Sequence, residues 1–282
     1  MALAEKTGGV IVNADSAQVY RDLPVLSAAP TTEECMRAEH RLYNILDGAL
    51  PCSAADWAAL ARSGIGALHA EGRLPILVGG TGLYLRTLLD GIAPVPPIDP
   101  EIRRQVRESP VEANREKLEK IDPEAAARLK PSDTTRVARA LEVILSTGKT
   151  LANWQRHREG GIRELAELQP LVLLPPREWL YQRCDERFAR MFESGAIAEV
   201  EALLARNLDP SLPVMRAIGV REIAAYLRGD ISSEEAIAAG QQATRRYAKR
   251  QYTWFAHQPP PEWPRFTDIP SERALELLHA SA

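Results

Sequence analysis

An α/β fold with a parallel-sheet core, interrupted by an all-helical insertion, is predicted from three observations. Two short apolar runs, residues 10–12 (Val-Ile-Val) and 74–78 (Leu-Pro-Ile-Leu-Val), each break into a polar or glycine-rich turn. Such runs read as buried strands, and the helical patterns between them give the alternation of a parallel sheet. From residue 101 to residue 167 that rhythm stops and only helical pieces follow one another. Strand character returns at Leu171, Val172, Leu173 and Leu174. The predicted organisation is a core of residues 1–100 and 168–282 carrying C-terminal helices, with residues 101–167 as a helical insertion domain.

The first strand delivers Asn13, Ala14, Asp15 and Ser16 at its C-terminal end. In open parallel sheets the ligand crevice lies outside those strand ends, so Asp15 stands where chemistry is done. Asp and Ser at such a place also serve simply as cap or turn residues. Ahead of the strand, residues 1–6 favour a helix that Thr7, Gly8 and Gly9 close, and it looks like the tail of a longer one. Beyond it a loop runs from Tyr20 to Pro30, Thr31 to Glu34 open a short helix, and residues 41–45 alternate like a second strand.

Ser53 and Asp56 cap an alanine-rich helix reaching about His69, with Trp57, Leu60, Ile65 and Leu68 as its expected core face. The second apolar run ends in Gly79, Gly80, Thr81 and Gly82, and a helix follows to about Leu89. Free backbone N–H groups and a hydroxyl beside a helix N-terminus suit a phosphate. A tight turn with Thr81 as N-cap is the equal alternative. The insertion holds helical pieces at 101–107, 111–119, 123–129 and 133–146. A helix over 177–192 then sets Arg183, Arg187 and Arg190 at i, i+4 and i+7, a solvated row or an anion clamp. Further helices are expected at 197–205, 214–227 and 233–255. The last interleaves Arg245, Arg246, Lys249 and Arg250 with Tyr247, Tyr252, Trp254 and Phe255. That stripe suits a polyanion, or else is a solvated face.

Composition narrows the function classes. With 282 residues, 45% hydrophobic and 26% charged, the chain has the make-up of a globular protein able to bury a core. A formal charge of −3 gives no global attraction to polyanions, so nucleic-acid binding needs local patches. Cys35, Cys52 and Cys184 form no CxxC or Cys/His cluster, which argues against a disulfide framework or structural zinc and fits a reducing compartment. No apolar run approaches a membrane span, and no signal-peptide core opens the chain.

Seven blocks, in order, now carry a resemblance. They are Asn-Ala-Asp-Ser-Ala-Gln-Val-Tyr (13–20), Leu-Val-Gly-Gly-Thr-Gly-Leu-Tyr (77–84) and Asp-Pro-Glu-Ile-Arg (99–103). Asp-Pro-Glu-Ala-Ala-Ala-Arg (122–128), Arg-Val-Ala-Arg-Ala-Leu-Glu-Val (136–143), Gly-Val-Arg-Glu (219–222) and Ala-Lys-Arg-Gln-Tyr-Thr-Trp (248–254) follow. Together they resemble the bacterial tRNA dimethylallyltransferase (tRNA isopentenyltransferase) family across nearly the whole chain. The resemblance implies a P-loop NTPase-like parallel-sheet core with a helical insertion, in a cytoplasmic monomer. It implies transfer of a dimethylallyl group from dimethylallyl diphosphate to the exocyclic amine of the adenine 3′ of the anticodon, in tRNAs reading U-initial codons. Asp15 aligns with the general base, Thr81 with the residue stabilising the departing diphosphate oxygen, and Arg187 with an arginine on the diphosphate. Segments contacting the tRNA anticodon stem-loop align with Asp15, Ser16, Ala17 and Gln18, with Arg103, and with Thr135, Arg136, Val137, Ala138 and Arg139. Arg216, Ala217, Ile218, Gly219, Val220 and Arg221 align with another. Mg²⁺ is the implied cofactor, its protein ligand unassigned.

The chemistry of the residues agrees with those roles. An aromatic exocyclic amine is a poor nucleophile, which a carboxylate helps by taking its proton. A departing diphosphate needs oriented N–H groups, arginine and Mg²⁺. A stacked adenine must be extruded to be reached.

Some positions depart from the family pattern. Its Gly-x-x-x-x-Gly-Lys-Ser/Thr loop occurs nowhere in the chain. The family places it, after a strand, just ahead of the helix at residues 1–6. The expectation is therefore a core lacking its first strand and P-loop, with strand edges and apolar surface laid open. Ser27, Ala28, Ala29 and Pro30 replace Thr-Ala-Lys-Pro, and Ala256 stands where a basic residue is common. Two alternatives follow: an isopentenyltransferase acting on free adenine nucleotides, and an inactive tRNA-binding remnant. The insertion and residues 136–142 favour tRNA over a mononucleotide, which needs no second gripping domain.

Overall fold

The computed structural model describes residues 1–268. The chain divides into two compact units, one of Met1–Leu88 with the chain from Arg163 onward, the other of Leu89–Ile162. In the first unit, α1 (Ala2–Thr7) ends at Gly8, whose φ of 66° is the left-handed turn that glycine permits. β1 (Val10–Asn13) is buried along its whole length, as its unbroken apolar run requires. It forms the middle of a three-stranded parallel sheet, between β2 (His40–Arg41) and β3 (Pro75–Val78). Val10 and Val12 pack on Leu68 of α3 (Ala54–Ala70), with Leu42 and Leu77 closing the cluster. Capping boxes start α2 (Thr32–Arg37) at Thr31 and Glu34, and α3 at Ser53 and Asp56.

Two expectations about these elements fail for local reasons. The strand expected over 41–45 stops after Arg41, because Leu42 and Asn44 take left-handed φ values of 65° and 52°. Leu60 is 40% exposed rather than on the core face of α3. That face is Trp57, Ala58, Ala61, Ile65 and Leu68. With successive residues about 100° apart, Leu60 lies roughly 110° from the middle of that arc.

The edge strand β3 is open, with Leu74 beside it 47% and Val78 48% exposed. α4 (Gly82–Asp90) follows β3. Beyond the helical unit, β4 (Val172–Leu173) pairs in parallel with β5 (Arg265–Phe266) in a separate two-stranded sheet. Leu173 is again 48% exposed.

The C-terminal helices of this unit are α10 (Arg177–Met191), α11 (Ile197–Ala205), α12 (Val220–Leu227) and α13 (Ser233–His257). The helix expected over 214–227 is broken: a single 3₁₀ turn at Val214–Arg216 gives way to extended Ala217 and then Gly219 at φ 97°. Glu222 accepts the Gly219 amide at 3.1 Å and restarts the helix there. A methyl group on Gly240 of α13 would lie 2.0 Å from the Phe188 ring, so the glycine lets α10 and α13 approach closely.

The second unit is wholly helical apart from one antiparallel bridge. Ile92 and Glu159 exchange backbone hydrogen bonds of 3.0 Å each, which brings both ends of the segment together and makes Leu89 its start. α5 (Pro100–Glu108), α6 (Val111–Ile121), α7 (Pro123–Arg128), α8 (Thr134–Thr147) and α9 (Leu151–Trp154) lie between. Its core is Val106, Leu118, Ala125, Ala126, Val137, Ala140 and Leu141, contributed by α5 to α8 at helical spacing.

Candidate active site

The C-terminal ends of β1 and β3 are knotted together by Asn13 and Thr81. Asn13 is fully buried. Its side-chain carbonyl accepts the Asp15 amide at 2.7 Å, and its amino group donates to the carbonyls of Asp15 and Leu42, both at 3.0 Å. The Trp57 indole donates to the Asn13 carbonyl at 2.9 Å and stacks on Tyr84 with ring centroids 4.6 Å apart. The Thr81 hydroxyl accepts from the Ser16 amide at 3.0 Å and donates to the Ser16 hydroxyl at 3.2 Å. The Thr81 hydroxyl is thus turned to the β1 turn.

Glycine is required where the two turns cross. A methyl group on Gly79 would stand 2.2 Å from the Ala14 carbonyl carbon, a collision with backbone. One on Gly82 would enter the Trp254 ring at 2.4 Å. α13 seals the loop from above: Gln251 donates to the Gly80 carbonyl at 3.0 Å. The basic stripe of α13 is partly committed, with Arg245 on Asp185 at 2.5 Å and Arg250 over the Tyr247 ring at 5.4 Å.

Asp15 sits in an unusual electrical setting. Burial pushes its carboxyl above the ordinary aspartate range, against the Ala17 amide, the Arg187 guanidinium and the Gln18 amide, which pull it down. The Ala17 amide donates to Oδ1 at 2.8 Å. Three tyrosines feel the Asp15 charge. Burial first, then Asp15, pushes Tyr43 up to about 12, and both also raise Tyr84 and Tyr247. They are neutral O–H donors at any physiological pH. Tyr247 also interacts with the side chains of Thr81 and Gln251. Nothing in the residue pattern marks Tyr43 and Tyr247 as neighbours of Asp15, since they come from segments distant in the chain.

The structure separates the remaining candidates. Asp15, Ser16, Thr81 and Arg187 come together, as Arg187 on α10 lies close enough to act on the Asp15 charge. Gln18 is spent on the loop that follows, donating to the Ser27 and Ala28 carbonyls at 3.0 and 2.7 Å. In the 216–221 segment, Arg216 and Arg221 are exposed, whereas Gly219 and Val220 are buried and Ala217 and Ile218 half-buried. Arg103, Thr135, Arg136, Val137, Ala138 and Arg139 belong to the helical unit. Among them Val137 is a core residue, 2% exposed, and Ala138 packs against that core.

A half-buried carboxylate and a hydroxyl at adjacent parallel strand ends, with an arginine in electrostatic reach, define an α/β protein built for group transfer from an anionic donor. The comparisons make this specific. The family model described as "IPP transferase" matches residues 18–258. The tRNA dimethylallyltransferase of Erythrobacter litoralis is 59% identical over 99% of this chain and 89% of its own. That of Novosphingobium aromaticivorans is 64% identical over 95% and 97%. Among solved structures, the tRNA isopentenylpyrophosphate transferase of Bacillus halodurans superposes with a TM-score of 0.68 at 34% identity, covering 99% of this chain and 89% of that one. A eukaryotic dimethylallyltransferase acting on tRNA gives 0.75 at 28% identity, covering 89% of this chain and 64% of that one. This chain belongs to the IPP transferase family.

Proposed function

We propose that the protein transfers the dimethylallyl group of dimethylallyl diphosphate to the exocyclic N6 amine of the adenine 3′ of the anticodon, in tRNAs that read U-initial codons. The observation that carries the reading is the turn at the end of β1. There the Ala17 amide holds the Asp15 carboxylate at 2.8 Å, and the next residue, Ser16, is bonded through its amide to the Thr81 hydroxyl of the β3 turn at 3.0 Å. Asp15 takes the proton of the amine as its nitrogen attacks the allylic carbon. The bond from that carbon to the diphosphate oxygen breaks, and the electron pair leaves with the diphosphate. The Thr81 hydroxyl turns its one proton from Ser16 to the oxygen that gains charge, and Arg187 faces the diphosphate. The tyrosines that feel the Asp15 charge stay neutral and leave one carboxylate as the base.

Mg²⁺ fits this arrangement as a guest of the substrate. Among the described residues no group of three or more His, Cys, Asp or Glu could hold a metal. Mg²⁺ is commonly held by few protein oxygens together with substrate phosphates. The Ser16 and Thr81 hydroxyls would supply such oxygens, and the ion would neutralise charge on the leaving group.

The test is transfer of label from radioactive dimethylallyl diphosphate, offered with unmodified tRNA or with AMP. Label entering tRNA at the adenine 3′ of the anticodon is expected. Preferential labelling of AMP would replace this reading with that of a nucleotide isopentenyltransferase. No transfer to either would leave an RNA-binding chain without the activity.

A further inference from the structure

We propose that Glu142, buried in the helical unit, is a positioning residue that holds Arg107 and Arg139 as a guanidinium cluster, completed by Arg103, for the phosphodiester backbone of RNA. The inference rests on the RNA-directed function above and adds to it a device for gripping.

The Glu142 side chain is 1% exposed, yet it receives Arg107 Nε at 2.8 Å and stands 3.9 Å from an Arg139 terminal nitrogen. A buried carboxylate is costly unless paired, and one arginine would pair it. Three converge. Burial holds Arg139 below the ordinary guanidinium range, Glu142 opposes that shift, and Arg103 and Arg107 add to it. Among the described residues Arg103 has no ion-pair partner, so three cations share one anion and a surplus of two positive charges remains.

Three other arginines of this unit make the contrast. Arg104 is matched by Glu101 and Glu108 at 2.6 and 2.8 Å, and Arg136 by Asp133 at 3.2 Å. Arg115 is turned to Glu119 and to the carbonyls of Leu129 and Ala126. Around Glu142, by contrast, two arginines face one carboxylate with a third beside them.

The exposure of the partners points the surplus outward. Arg107 is 55% and Arg139 40% exposed, although both lean on a fully buried anchor. Arg107 is tied through Nε, which leaves its terminal N–H groups for a second acceptor. Arg103 and Arg107 are one helical turn apart on α5, about 6 Å along its axis. An arginine fork fixed on its inner side loses little freedom when its outer edge binds a phosphate. A carboxylate at the centre is the opposite of what charge alone would place in a polyanion site. Its role is to set the forks.

The test uses the full chain and a fluorescent, unmodified anticodon hairpin, with affinity measured from 50 to 200 mM salt. Replacing one phosphate-contacting arginine should lower the slope of log K against log salt by about one. Arg103→Ala and Arg107→Ala are each expected to do so and to weaken binding several-fold. Arg107→Lys keeps the charge and loses the fork, so it should weaken binding at an unchanged slope. Glu142→Gln is decisive, because it removes a negative charge from the unit and so makes the unit more positive by one. Charge alone would tighten the hairpin, whereas loss of positioning loosens it several-fold. Equal or tighter binding by Glu142→Gln overturns the proposal, as do wild-type slopes in both alanine variants. Should Glu142→Gln lose its helical circular dichroism, the exposed Arg103→Ala and the Arg107→Lys variant decide. A wild-type chain that shows no salt-dependent binding sinks the RNA-directed reading itself, an outcome distinct from variants that match a binding wild type.

Discussion

As the proposed base, Asp15 would meet two opposed demands, since a base must be ionised to take a proton and its burial disfavours ionisation. Burial raises its pKa above the usual aspartate value, and Arg187 with the Ala17 and Gln18 amides limits the rise. Transfer should therefore fall away in acid through a pKa higher than that of a free aspartate, as the base becomes protonated. Removing the opposing charge in Arg187→Ala should shift that acid limb upward, a change that a pH profile of kcat/KM measures. Asp15→Asn keeps the volume and removes the base, with an expected loss of about 10²–10⁴-fold in kcat. The linkage for stability has the opposite sense to the rate. The folded chain binds this proton more tightly than the unfolded one, so stability is lost as pH rises through the folded pKa. At this scale the sequence was readable where chemistry and local geometry coincide. Asp15 and Thr81 each follow an apolar run and end in a turn, whereas Tyr247 reaches Thr81 from a helix 166 positions further along (247 − 81).

The turn of Gly79, Gly80 and Thr81 shows how an element is fixed by what crosses it. A Cβ at Gly79 meets the Ala14 backbone at 2.2 Å, and neither strand end can yield without breaking the Ala14 to Val78 hydrogen bond of 2.8 Å. Gly79→Ala should destabilise the chain by about 1–3 kcal/mol, read as a lower thermal midpoint, and should lower transfer by displacing Thr81. Gly72→Ala is the comparison: its site is open, and only its φ of 68° opposes the methyl group. Glycines in strand-to-helix turns announce themselves in sequence, and this one was read as a phosphate cradle or a tight turn. Gly219 did not announce itself, because apolar and charged residues on both sides of it continue a helical pattern. The break there depends on Glu222 and on Leu26, which a Cβ would approach to 2.7 Å, and Leu26 comes from a distant loop.

For the molecule as a whole, charge and core are both distributed between two units. A net charge of −3 hides a surplus of cations around Glu142, so the chain as a whole does not advertise a polyanion partner. The helical unit has its own core, in which Leu141 is fully buried. Leu141→Ala should cost about 2–5 kcal/mol and lower the urea midpoint followed by far-ultraviolet circular dichroism. Hairpin affinity should fall with it, because α8 carries both Leu141 and Glu142. The existence of a helical unit was legible from the absence of strand patterns after residue 100. Its opening at Leu89 was not, since the Ile92 to Glu159 pairing is a backbone event with no side-chain signature.

The hydrogen bond from Gln251 to the Gly80 carbonyl has a consequence in time. Its two partners are 171 residues apart in the chain. At about 5–20 residues per second, synthesis delivers Gln251 roughly ten to thirty seconds after Gly80. During that interval the strand turns stand without their lid, and a nascent chain must wait for its last long helix before the carboxylate and hydroxyl are enclosed.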